Sequence, residues 1–215
     1  MIWQDLRGFY GVDYNEGRLG HLGAFSVPGH WEHPLRWKAS AAGILSAFED
    51  IEGHAPETIL ELGCGRGSLV WALEERGLSV VGLDLAEDIR YSERCVVGNA
   101  IALPFAKRFE CVIALDIIEH VPSDYQAALL SELRRVCSGI VLATVPTDGP
   151  PRIEDSAVGV RNHYLVLSSQ AWAAHFAAHG FDVVADAERL SAFGVPFAWG
   201  AANYPFALRP GAGEN

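Results

Sequence analysis

Short apolar runs alternate with helix-like segments along the central part of the chain. Five runs rich in Val, Ile and Leu predict strands, at 58–62 (TILEL), 79–84 (SVVGLD), 94–99 (RCVVGN), 109–115 (FECVIAL) and 139–145 (GIVLATV). Strands that are apolar on both faces are typical of a parallel sheet covered on both sides by helices. The alternation therefore predicts an α/β fold built from βαβ units.

Apolar residues at helical spacing mark the segments around these strands. They predict helices at 38–51, 68–77, 123–136 and 169–180, with Ser123 as the N-cap of the third. Two further apolar segments, 181–187 (FDVVADA) and 203–209 (NYPFALR), predict additional strands near the end of the chain.

Three stretches break the alternation, at residues 1–37, 146–168 and 190–202. The first two are dense in glycine, proline, histidine and aromatic residues. The second follows a predicted sheet strand, where open α/β folds place their ligand-binding loops. These stretches are therefore the candidate walls of a substrate site.

A glycine-rich turn, "ELGCGRG" at 61–67, lies between the first predicted strand and the helix after it. Alternating glycines at Gly63, Gly65 and Gly67 indicate that the backbone approaches a ligand closely. Asp84 follows about twenty residues later at the end of a strand, as in nucleotide-binding βαβ units. There its carboxylate would accept hydrogen bonds from both ribose hydroxyls.

The spacing of this turn differs from that of a dinucleotide site. A GxGxxG motif counted from Gly63 needs a third glycine at position 68, which is Ser68. Glu61, two residues before the first glycine, opposes a pyrophosphate but suits a ligand that carries an ammonium group. A nicotinamide-dependent oxidoreductase is therefore the disfavoured alternative.

Four ordered motifs resemble those of class I S-adenosylmethionine-dependent methyltransferases, over roughly residues 56–146. "ELGCGRG" and "GLDLAED" resemble the first two motifs of the class. "VVGNAIALPF" and "FECVIALDIIEHVP" resemble the adenine-contacting and fourth-strand motifs of its small-molecule branch.

The resemblance implies a doubly wound, mostly parallel seven-stranded sheet that ends in an antiparallel hairpin of 181–187 and 203–209. Residues 1–55 would form an N-terminal cap over the substrate. Residues 56–215 would form the S-adenosylmethionine-binding domain, with a lid insert near 146–168.

The resemblance also implies where the cofactor binds. Glu61, Gly63 and Gly65 would contact its methionine portion, with Cys64 in the same loop, Asp84 its ribose, Leu85 one face of the adenine, and Asn99 and Ala100 the adenine edge, while Leu115 and Asp116 would close the pocket beneath the sulfonium. Asn99 departs from the usual aspartate, although its amide oxygen still accepts a hydrogen bond from the adenine amino group.

The implied reaction is methyl transfer from S-adenosylmethionine to a small molecule, with a hydroxyl oxygen as the first acceptor and nitrogen or carbon as alternatives. A catalytically silent S-adenosylmethionine-binding regulatory domain is the alternative outside enzymology. We expect His163, in the irregular stretch after the fifth strand, to act as a general base, with His30 as the next candidate.

Other reactive residues are assigned structural roles. A turn is favoured over acid/base chemistry for Glu119 and His120, and packing over nucleophilic attack for Cys64. His30 and His33 resemble two metal ligands, but no third ligand of obvious spacing follows and Pro34 disturbs a helix there. No metal ion is therefore predicted.

The net charge of −11 and the pI near 5.1 disfavour nucleic acid and anionic membranes as partners. The expected partner is a small-molecule acceptor, and the oligomeric state stays open. The amino-terminal stretch lacks the pattern of a signal peptide, and the four cysteines are far apart without a CxxC pair. These features predict a cytoplasmic protein with reduced thiols.

Overall fold

The computed structural model describes residues 34–86, 92–147, 163–190 and 203–211. Its helices are α1 (Pro34–Glu52), α2 (Ser68–Glu74), α3 (Gln126–Val136), α4 (Ser169–Ala178) and α5 (Ala187–Leu190). Its strands are β1 (Thr58–Leu62), β2 (Ser79–Asp84), β3 (Cys95–Val97), β4 (Phe109–Leu115), β5 (Cys137–Pro146), β6 (Phe181–Ala185) and β7 (Asn203–Pro210). Two 3₁₀ turns, Ile118–His120 and Ser123–Tyr125, connect β4 to α3.

The strands form one seven-stranded sheet in the order β3-β2-β1-β4-β5-β7-β6. Strands β1 to β5 pair in parallel, whereas β7 runs antiparallel to both β5 and β6. The predicted doubly wound sheet and its closing antiparallel hairpin are therefore confirmed. Strand order reverses between β1 and β4, so their carboxyl ends form the crevice where such sheets bind ligands.

Helices cover both faces of the sheet, as the two-sided apolar strands predict. On one face α3 and α4 pack through Leu129, Leu133, Trp172 and Phe176. The Trp172 indole N–H donates to the carbonyl of Pro146 over 2.8 Å, which ties α4 to the end of β5. On the other face α1 and α2 bury Ile44, Phe48, Leu69 and Leu73.

Three predicted strands match the structure at both ends: β1, β2 and β4. The third predicted strand shortens to Cys95–Val97, and the fifth lengthens to Cys137–Pro146. The N-cap prediction for Ser123 is wrong. The chain first makes a 3₁₀ turn at Ser123–Tyr125, so the serine lies one turn ahead of α3, whose N-cap is Tyr125.

The predicted N-terminal cap lies partly outside the described residues, which begin at 34. Within the described part, α1 packs against the sheet and α2 rather than standing apart from them. Among the described residues, no helix combines the length and the apolar character that crossing a membrane would need.

Candidate cofactor and acceptor site

The turn after β1 is built from glycines in the left-handed region. Gly63, Gly65 and Gly67 have φ angles of 72°, 50° and 77°. The backbone N–H groups of Gly63 and Cys64 both donate to the carbonyl of Leu83, at 2.8 and 3.1 Å. Glycine adopts these angles at no steric cost, so the turn folds tightly against the end of β2.

The same turn leaves little room for side chains. A Cβ added to Gly67 would lie 2.5 Å from the Cys95 sulfur, and one added to Gly63 would lie 3.0 Å from the Ile117 side chain. Because Ile117 belongs to the chain after β4, the glycine turn and the β4 turn are in direct contact. Gly67 serves packing within the domain.

Asp84 holds the glycine turn from the end of β2. Its Oδ2 accepts from the N–H of Gly65 and its Oδ1 from the N–H of Ala86, both at 2.8 Å. Burial raises the pKa of Asp84, and these backbone N–H groups oppose the shift. A carboxylate has about four acceptor positions, so both oxygens can still accept from ribose hydroxyls.

Glu61 lies in β1 beneath the start of α2 and is 6% exposed. Burial raises its pKa well above the ordinary value, and a backbone N–H bond from Val70 opposes that rise. Among the described residues, Oε2 of Glu61 has no hydrogen-bond partner. Buried polar atoms normally have a hydrogen-bond partner, so this oxygen is open to a donor from outside the described residues.

Cys64 is buried inside the turn, next to Cys95. Its contact with Cys95 and its burial both raise the pKa of the Cys64 thiol. The thiolate is the reactive form of cysteine, so this environment favours the packing role over a nucleophilic one.

The predicted adenine segment reaches the same edge of the sheet as Asp84. The N–H of Gly98 donates to the Asp84 carbonyl over 2.9 Å. Asn99 forms a tight turn, since its Oδ1 accepts from the N–H of Ile101 over 3.1 Å. The structure thus brings Asn99, Ala100 and Leu85 close to Asp84, all partly buried.

Asp116, directly after β4, adopts a left-handed conformation with φ 52°. Its N–H donates to the Thr144 hydroxyl at 3.0 Å, and that hydroxyl donates back to Oδ1 of Asp116 at 2.5 Å. A non-glycine residue in this region costs about 1–2 kcal/mol, which is tolerated where the surroundings hold it, often at functional sites. Leu115, at the end of β4, packs at the margin of the core beneath it.

The turn after Asp116 brings an acidic residue and two histidines together. Glu119 is 1% exposed, and its Oε1 lies 3.9 Å from Nε2 of His120. The His120 and His163 rings meet edge to face with centroids 4.8 Å apart. The N–H of Tyr164 donates to the Glu119 carbonyl over 2.8 Å and so fixes the chain beside His163.

Sequence reasoning treated Glu119 and His120 as a structural turn and His163 as an isolated base. The turn exists, as the 3₁₀ segment Ile118–His120. The local spacing of Glu119 and His120 held no signal for their meeting with His163, which follows only from the return of the chain after β5. His30 and His33 lie outside the described residues.

Proteins of similar sequence are methyltransferases. Residues 35–186 match a family model described as "Methyltransferase domain". Ubiquinone biosynthesis O-methyltransferase of Leptothrix cholodnii is 30% identical over 44% of this chain and 43% of its own length, and the enzyme of the same name from Pseudomonas paraeruginosa matches at the same values. These curated relatives are thus matched over less than half of their length.

Solved structures share the whole fold at low identity. The 1,6-didemethyltoxoflavin-N1-methyltransferase of Burkholderia thailandensis, solved with S-adenosylhomocysteine, has a TM-score of 0.68 at 19% identity, over 97% of this chain and 88% of that one. The DhpI complex with S-adenosylhomocysteine has a TM-score of 0.62 at 16% identity, over 99% and 98%.

The chain belongs to this family of methyltransferase domains. The predicted methyltransferase class is confirmed over the nicotinamide-dependent oxidoreductase.

Proposed function

We propose that the chain transfers a methyl group from S-adenosylmethionine to a hydroxyl oxygen of a small molecule. The observation that carries the proposal is the contact between the glycine turn after β1 and the turn after β4. Ile117 packs against Gly63 and so places the Glu119–His120–His163 group beside the glycine turn. The O-methyltransferase names of the curated relatives support oxygen as the acceptor atom.

On the donor side, the proposal assigns the cofactor to the carboxyl ends of β1 and β2. The unpartnered oxygen of Glu61 would face the ammonium group of the methionine portion. Asp84 would accept from the ribose hydroxyls, and Asn99 would meet the adenine edge. Leu115 and Asp116 would lie beneath the sulfonium, because they lie at the carboxyl end of β4, the strand next to β1.

In the reaction, the acceptor oxygen attacks the methyl carbon in line with the carbon–sulfur bond. The new oxygen–carbon bond forms as the carbon–sulfur bond breaks, and neutral S-adenosylhomocysteine leaves. Correct alignment of two reactants supplies about 7–11 kcal/mol in well-oriented systems. The protein's main task is therefore to align the acceptor and exclude water.

A hydroxyl acceptor must also lose its proton. We assign this step to the neighbourhood of His163, the predicted catalytic residue that the structure describes. Its ring lies against His120 and beside the buried Glu119, within reach of the β4 turn. The charge of −11 supports a small acceptor over nucleic acid, and four buried free thiols support a reducing cytoplasm as the working environment.

Two measurements test the proposal. Calorimetry with S-adenosylmethionine, S-adenosylhomocysteine and NAD should show one site per chain for the first two and none for NAD. Transfer of labelled methyl from S-adenosylmethionine should then be screened across phenols, enols, alcohols and amines. Methylation of hydroxyl compounds is expected, whereas turnover confined to amines would overturn the choice of oxygen.

A further inference from the structure

Glu119 is a buried carboxylate whose surroundings do not balance its charge. Its Oε2 has no hydrogen-bond partner among the described residues. Within those residues its ion pair is with His120, at 3.9 Å, and neither a lysine nor an arginine is paired with it. Asp116 is close enough for its negative charge to disfavour the charged form of Glu119. A carboxylate buried in this way needs a cation or a proton.

The side chains around Glu119 converge on one point. One ligand atom from each of Glu119, His120 and His163 lies within 4.8 Å of the other two. The backbone beneath them is held from two sides, by the Tyr164 N–H on the Glu119 carbonyl and by the Gln126 amide on the carbonyls of Ile118 and Val121. The three donors are thus presented by a fixed frame.

We propose that Glu119, His120 and His163 bind one divalent transition-metal ion, with zinc as the representative. Two imidazole nitrogens and one carboxylate oxygen are a donor set that this class of ion takes in catalytic sites, with a position left open. Magnesium and calcium prefer oxygen donors, so two histidines disfavour them.

The geometry needs only small side-chain movements to reach coordination. Zinc lies about 2.0–2.2 Å from such donors, so tetrahedral donors are roughly 3.3–3.6 Å apart. Rotations of the three side chains that shorten their separations by up to about 1.5 Å would satisfy this. The ion would supply the positively charged partner that the Glu119 carboxylate lacks among the described residues.

The inference rests on the proposed function for its role in the reaction, and it defines the part of His163. A hydroxyl oxygen of the acceptor at the open position would be more acidic, because the ion stabilises the oxyanion. Its proton would pass to water, and the bound oxygen would then attack the methyl carbon. His163 would act as a ligand of the ion, and acidic hydroxyls such as phenols and enols would be the preferred acceptors.

Zinc binding by the full chain saturated with S-adenosylhomocysteine tests the site without any acceptor. We expect one zinc ion per chain by elemental analysis after dialysis, and a loss of affinity of at least tenfold in each of Glu119→Gln, His120→Ala and His163→Ala. His54→Ala is the matched control, because His54 is exposed and bonded to the Ala55 carbonyl. Unchanged zinc affinity in the three variants would overturn the inference.

X-ray absorption of the zinc-loaded wild-type chain decides the matter if the variants do not fold. A shell of nitrogen and oxygen at about 2.0–2.1 Å with imidazole scattering supports the site, and a sulfur shell at about 2.3 Å contradicts it. Binding of S-adenosylhomocysteine without any zinc would end the inference and leave the proposed function standing. A chain that binds zinc at these residues but no S-adenosylhomocysteine would do the reverse.

Discussion

The turns after β1 and β4 lie side by side, and each is associated with a buried glutamate. Glu61 and Glu119 both have an Oε2 without a hydrogen-bond partner among the described residues, and burial raises the pKa of both. The turn after β1 otherwise presents backbone, through glycines with positive φ and a hydrogen bond to Asp84. The turn after β4 presents ionisable side chains.

This difference separates two kinds of recognition. A backbone site is shaped for one ligand, since the positions of its N–H groups depend on φ angles that only glycine adopts freely. A side-chain site depends on residues from two parts of the chain, and its chemistry changes with any one of them. We expect variants of the first turn to lose cofactor and variants of the second to lose turnover.

The largest effect should come from Gly65→Val. Valine is strained at a φ of 50°, and its branched side chain would occupy the space that we assign to the cofactor. Calorimetry should detect no binding of S-adenosylhomocysteine. Gly77→Val is the matched control, because Gly77 has a φ of 79° but open space around it, so its variant should be strained yet bind normally.

His163→Ala should give the clearest loss on the acceptor side. Turnover with an identified hydroxyl acceptor should fall by a factor of roughly 10² to 10⁴, the usual contribution of a group that assists proton removal. The affinity for S-adenosylhomocysteine should stay within about twofold of wild type. If affinity fell in proportion to turnover, the separation between the two turns would be wrong.

Asp84→Ala should weaken cofactor binding by at least about tenfold, because it removes two charge-assisted hydrogen bonds worth about 1.5–3 kcal/mol each. The variant also frees the N–H groups of Gly65 and Ala86. Titration calorimetry measures the loss, and circular dichroism checks that the fold remains. An unchanged dissociation constant would show that Asp84 does not meet the ribose.

Glu61→Gln should lower cofactor affinity and raise stability, and its effect on binding should be smaller than that of Asp84→Ala. Removing an uncompensated buried charge should raise the melting temperature of the ligand-free protein at pH 7, while affinity for S-adenosylhomocysteine falls several-fold.

The pH dependence of this difference follows from the raised pKa of Glu61, whose ordinary value is 4.5. Between 4.5 and the higher folded pKa the native state binds more protons than the unfolded state, so the Glu61 contribution to stability rises as pH falls. The stability gap between Glu61→Gln and wild type should therefore narrow toward pH 4.5. A gap that widens on acidification would contradict the assignment.

Asn99→Asp should have the smallest effect, with affinity equal to or slightly above that of wild type. Asn99 Oδ1 already accepts from the Ile101 N–H, and its second lone pair is the one expected to face the adenine amino group. A carboxylate keeps both bonds and adds charge. A large loss in calorimetry would show that the 96–105 segment does not hold the adenine.

Local patterns were enough to predict much of the fold. The extents of β1, β2 and β4 follow from short runs rich in Val, Ile and Leu. The start of α3 could not be predicted in this way. A 3₁₀ turn and an α-helical turn at Ser123 differ little in local energy, so the packing of the turn decides between them.

The proposed cofactor site could be predicted from the sequence because recognition by backbone groups requires particular residue types. Left-handed turns require glycine at particular positions, and Asp84, to which we assign the ribose, ends the same βαβ unit, so Gly63, Gly65 and Asp84 are visible as a spacing. These constraints act within a short length of chain, and the sequence by itself determined them.

Only the tertiary structure brought Glu119 and His120 to His163, and the glycine turn to Ile117. These contacts depend on the order β1-β4-β5 in the sheet and on the path of the chain back across the β4 turn at Tyr164. No local spacing encodes them, because ionisable side chains need no special backbone conformation and their positions depend on the packing of distant segments. The proposed cofactor site was therefore predictable from the chain alone, whereas the proposed acceptor chemistry depends on the fold.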